Sequence, residues 1–79
     1  MSTFENLREI YYATAEEPVP EESFKEDSKL LEDLGCNSVA LLYMAMSIEE
    51  EFGVSFTNED LESFTTVSSV ISTIEALLK

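Results

Sequence analysis

Residues 33–53 read DLGCNSVALLYMAMSIEEEFG, and this stretch decides the fold. Gly35 supplies a flexible corner. Asn37 and Ser38 are both good helix N-caps, and Gly53 is a natural C-terminal stop. Between them Leu41, Ala45, Ile48 and Phe52 recur at i, i+4, i+7 and i+11. That spacing predicts a helix from Ser38 to Phe52 whose stripe faces a core. Val39, Tyr43 and Met46 share the roughly opposite face, an apolar patch either buried against a loop or presented to a partner; we expect partner contact.

Towards the N-terminus, Ser2 and Glu5 have capping-box spacing, and Phe4, Leu7, Ile10 and Tyr11 then recur at helical intervals. This first helix should fade near Ala15, because Glu16-Glu17-Pro18-Val19-Pro20 cannot continue it. A long connection over residues 16–36 follows, unusual in a small domain. Its Phe24, Leu30, Leu31 and Leu34 are expected to anchor it, with a helical turn between Ser28 and Leu34. Towards the C-terminus, Val54 and Phe56 sit in a tethered loop. Thr57 and Asp60 then box the start of a short helix reaching about Glu62, with Leu61 and Phe64 packing inward. Thr65 or Thr66 caps a last helix in which Val67, Val70, Ile71, Ile74, Leu77 and Leu78 form one apolar stripe. The expectation is an all-α four-helix bundle: three main helices, one short, and a long loop between the first and second. At 79 residues it should be a single domain over 1–79.

Charge narrows the function. Seventeen acids against four bases give −13, which excludes nucleic-acid binding and docking on an anionic membrane. All four bases are Arg8, Lys25, Lys29 and Lys79, so residues 30–78 carry nine acids and no base. Such a field steers basic partners or simply keeps the chain in solution. The absence of histidine removes the commonest general base and the Ser-His triad, so catalysis by this chain alone is not expected. Cys36 is the one cysteine, allows no internal disulfide, and fits a reducing compartment; with no base nearby it reads as a small, semi-buried loop residue rather than a nucleophile. The apolar run Val39 to Met46 is too short to span a membrane and no signal-peptide pattern opens the chain, so a cytoplasmic location is expected. Asn58-Glu59-Asp60 and Asp27 do not complete a calcium loop, and no dedicated metal site is expected.

The chemistry lies at Ser38. A hydroxyl between a glycine corner and a helix N-terminus meets unpaired N–H groups and the positive end of the helix dipole, which favour a negative group bound by or attached to it. The plainer alternative is that Ser38, or Asn37, only caps the helix.

Asp33-Leu34-Gly35-x-x-Ser38, followed by Ile48-Glu49-Glu50-Glu51-Phe52-Gly53-Val54, Asp60-Leu61 and Thr66-Val67, resembles the acyl carrier protein family over residues 30–75. Any one of these pieces is weak; the ordered set is strong. The resemblance implies a covalent 4′-phosphopantetheine arm on Ser38, installed by a phosphopantetheinyl transferase. It also implies that the arm carries acyl groups as thioesters to acyl-transferring or synthase enzymes with basic docking patches, the carrier itself being monomeric. The sequence departs from that family where an aspartate usually precedes the serine and a leucine follows: here stand Asn37 and Val39. That aspartate is associated with metal binding during transfer of the arm, so Asn37 puts loading by a general transferase in question. Early acids of this helix are replaced by Ala40 and Tyr43. The expected partner-facing residues are Asn37, Val39, Tyr43, Met46, Glu49 and Glu50. An unmodified acidic interaction module that keeps the fold is the alternative, and Asn37 is the feature that sustains it.

Overall fold

A computed structural model describes residues 2–79. Four helices follow in order: α1 (Thr3–Thr14), α2 (Ser38–Phe52), α3 (Asn58–Glu62) and α4 (Val67–Leu78), with one 3-10 turn, Glu21–Ser23, inside the long α1–α2 connection. Local chemistry sets most boundaries. Ser2 and Glu5 close a capping box on α1, as Thr57 and Asp60 do on α3. Asn37 caps α2, and Gly53 ends it in the left-handed region at φ 69°. Of the two threonines before α4, Thr66 is the cap, boxed with Ser69.

α1 packs on α2 and on α4. Leu7 and Tyr11 of α1 meet Met44 and Ile48 of α2 and Val67, Val70 and Ile74 of α4, all nearly or completely buried. In α2 the fully covered residues are Met44, Ala45 and Ile48, whereas Leu41 and Phe52 at the ends of the expected stripe are only half covered. Met44 takes the place between them, buried in one cluster with Leu7 and Tyr11 of α1 and Val70 and Ile74 of α4.

The long connection is pinned from both sides. Phe24 packs against Phe4 and Tyr11, with ring centroids 5.5 and 5.2 Å apart. Tyr11 donates its hydroxyl proton to the Leu34 carbonyl at 3.2 Å and accepts from the Val19 N–H at 3.1 Å, so one side chain ties the start of the loop to its end. The loop also pairs with the entrance to α4. An isolated antiparallel bridge joins Lys29 to Thr66. Around it the Val67 and Ser68 N–H groups donate to the Ser28 and Glu26 carbonyls at 3.0 and 2.8 Å. These are donors that a helix N-terminus leaves free.

Two expectations fail. Phe24, Leu30 and Leu34 are buried anchors, but Leu31 is 66% exposed. The bridge at Lys29 turns Leu30 inward, and the following turn throws Leu31 to the surface. The α4 stripe is buried only as far as Ile74; Leu77 and Leu78 are exposed. Thr3, the first residue of α1, already lies beside Glu75, its hydroxyl donating to that carboxylate at 3.3 Å, so the last turn of α4 runs past its cover.

Candidate functional site: the head of the second helix

The corner that presents Ser38 is held by a relay of backbone hydrogen bonds. The Leu30 N–H donates to the Thr65 carbonyl at 2.9 Å, and the Cys36 N–H donates back to the Leu30 carbonyl at 2.7 Å. Gly35 makes the reversal between them at φ 68°, a conformation costly for other residues. Asn37 then accepts twice. Its side-chain oxygen takes the Ala40 N–H at 2.9 Å and its carbonyl takes the Leu41 N–H at 2.8 Å. Asn37 is therefore the cap, and the Ser38 hydroxyl is left exposed in the first turn.

The Ser38 and Val39 N–H groups have no partner among the described residues, so the open end of α2 keeps two donors and its dipole for an anion. No acid stands in the first turn of α2 to oppose one. An exposed hydroxyl, two free donors and an uncharged helical turn fit a phosphodiester on Ser38. They would hold its charge with about 0.3–1 kcal/mol from the helix terminus.

Two grooves flank this corner, with Cys36 and Asn37 in the wall of both. One, of about 620 Å³, includes Ser38 and is mostly apolar, with Leu30, Leu31, Leu41 and Phe64. The other, of about 630 Å³, lies between α1 and α2. Cys36 itself is buried, and burial pushes its thiol pKa up, which opposes formation of a thiolate.

The residues expected to face partners divide. Val39, Tyr43 and Met46 are between 62 and 63% exposed, on the face turned away from the core. Leu42 joins them, half exposed, and was missed from the sequence although it sits three after Val39 and four before Met46. Glu50 is exposed beyond the patch. Glu49 is engaged within the molecule: its carboxylate accepts the Phe56 N–H at 2.7 Å and steadies the turn after α2. Tyr11, which clamps the loop beneath the corner, also went unrecognised as a positioning residue, because its two partners are distant in sequence.

A short helical bundle with a serine exposed at an open helix end, between two grooves, has the form of a carrier for a covalently attached group. The family profile described as the phosphopantetheine attachment site matches residues 13–74. An acyl carrier protein of Campylobacter hominis is 32% identical over the whole of this chain and 98% of its own length. Another, from Thermotoga maritima, is 42% identical over 76% of this chain and 74% of its own. A third, from Coprothermobacter proteolyticus, is 36% identical over 95% and 89%. The chain belongs to the acyl carrier protein family. Its function is to carry acyl intermediates, its cofactor is 4′-phosphopantetheine, and the family match favours this over an unmodified acidic module. Proteins of this kind meet phosphopantetheinyl transferases and synthase enzymes. No helix among the described residues is long and apolar enough to cross a membrane.

Proposed function

We propose that Ser38 is the attachment point of the arm, and that residues 1–79 work as one monomeric, non-catalytic carrier domain in the cytoplasm. The observation that carries this reading is the division of labour at the α2 entrance: Asn37 supplies the cap, which frees the Ser38 hydroxyl for chemistry. Tethering holds the cargo at high local concentration near whichever enzyme docks. Docking proceeds through the face formed by Val39, Leu42, Tyr43 and Met46. Desolvating four large apolar groups there supplies affinity beside the arm. Glu50 and the wider acidic field meet the basic rim of the partner and steer the encounter. Asn37 faces the transferase during loading, and Glu49 supports the docking helix from its far end.

Incubation with coenzyme A and a phosphopantetheinyl transferase tests the assignment by intact mass. One phosphopantetheine should be added to the chain and none to Ser38→Ala, whose circular dichroism should stay that of the parent. Modification that persists in Ser38→Ala would refute the attachment point.

A further inference from the structure

The two grooves beside the head of α2 differ in charge. The one that Ser38 lines has Lys29 and Glu32 in its wall, and these pair with each other at 3.3 Å. The groove between α1 and α2 has Glu16 and Glu17 in its wall and no base. Both of these glutamates are exposed, just past the end of α1, and neither is in an ion pair among the described residues. The remaining acid of the corner is already engaged: Asp33 accepts the Lys29 N–H at 2.7 Å. Along α2 itself no acid occurs before Glu49. For a cation that approaches Ser38, Glu16 and Glu17 are therefore the acids left to meet it.

This pair is continuous with the exposed apolar face. Val39 and Tyr43 belong to that face and also to the groove wall that holds Glu16 and Glu17. A surface seated on Val39, Tyr43 and Met46 thus has one edge at the glutamates. What fits is an apolar patch with an arginine or lysine at that edge, its charge complementary to the uncompensated pair. A second copy of this chain does not fit, since it brings −13 of its own. The loading enzyme does fit. It must hold coenzyme A against Ser38, and a site for the phosphates of that anion is lined with bases.

We infer that the phosphopantetheinyl transferase docks on the face of Val39, Tyr43 and Met46 with a basic side chain against Glu16 and Glu17. The segment after α1, rather than α2, then supplies the charge by which the enzyme selects this carrier. The inference rests on Ser38 being the attachment point and on that face being the docking surface.

The test follows loading of the full chain from coenzyme A at low salt, with a phosphopantetheinyl transferase that modifies the parent. Glu16→Gln combined with Glu17→Gln should raise KM for the carrier by about three- to tenfold, the size of two exposed ion pairs, and leave kcat unchanged. Salt at about 0.15 M should remove most of that difference. Glu21→Gln combined with Glu22→Gln makes the same change of charge at exposed positions outside both grooves, and should leave KM near that of the parent. Tyr43→Ala and Met46→Ala should each raise KM at either salt concentration, because apolar contact is not screened. A KM raised equally by the two glutamine pairs would mean that only total charge counts, and a KM raised by neither would mean that the glutamates are not read. Either result overturns the anchor while the two alanine variants uphold the face. If both alanine variants leave KM unmoved, the docking face fails and the inference with it. Loading of Ser38→Ala overturns the attachment point instead.

Discussion

Asn37 holds the Ala40 N–H with its side-chain oxygen, and a carboxylate in its place would keep that hydrogen bond and add a charge. The two roles are therefore separable. Asn37→Asp should leave stability to urea within a few tenths of a kcal/mol or raise it by about 0.3–1 kcal/mol, whereas Asn37→Ala should cost about 1 kcal/mol. If the neutral residue weakens metal geometry during transfer, Asn37→Asp should also load faster with a general transferase. Equal loading rates for all three proteins would restrict the residue to capping. Two positions from Ser38, Cys36 makes a different prediction. Burial raises its pKa, so the folded state holds the thiol proton more tightly than the unfolded chain does. Stability from this site is full below the ordinary thiol value of about 8.5 and is lost as pH rises through the raised one. Melting temperatures taken on either side of that value should fall in the parent and lose part of that slope in Cys36→Ala.

At the scale of elements, the site depends on a loop that one phenol clamps. Tyr11→Phe leaves the Leu34 carbonyl and Val19 N–H without that partner, which should cost about 1–3 kcal/mol by urea unfolding. Hydrogen exchange tells whether the loss reaches the site: the Cys36 amide should speed up by more than amides in the middle of α4. Equal acceleration in both would mean that Tyr11 stabilises the whole bundle without positioning the corner. The sequence and the structure agree where a structure is written in neighbouring residues. Ser2 with Glu5, Thr57 with Asp60, and Gly53 all act within one turn, so the helix boundaries were legible. Leu30 and Leu31 are adjacent and alike, and only pairing of Lys29 with Thr66, far away in the chain, sends one inward and the other outward. Leu77 and Leu78 keep helical spacing beyond the point where α1 covers them. Periodicity names a face; it does not tell how far a neighbour extends.

Over the whole molecule, −13 charges are met among the described residues by one ion pair, Lys29 with Glu32 at 3.3 Å, and that pair is exposed. Exposed pairs contribute at most about 1 kcal/mol, so repulsion among the acids is largely uncompensated. Raising monovalent salt from about 0.01 to 0.15 M shortens the Debye length from about 30 to 8 Å and should raise the melting temperature in calorimetry. A melting temperature indifferent to salt would mean that the acids lie too far apart to oppose folding. The same salt should weaken docking to a basic partner, since there the acids attract. The hydrogen-bond relay from Thr65 through Leu30 to Cys36 has a consequence in time. Ser38 leaves the ribosomal peptidyl centre well before Ser68 does; at about 5–20 residues per second the interval is about 2–6 s. Throughout it the carbonyl of Thr65 and the amides of Val67 and Ser68 are not yet in place to fix the loop, and the serine sits on an unfinished strand of chain. A loading enzyme that reads the completed corner would find it only on chains whose synthesis has already passed the entrance to α4.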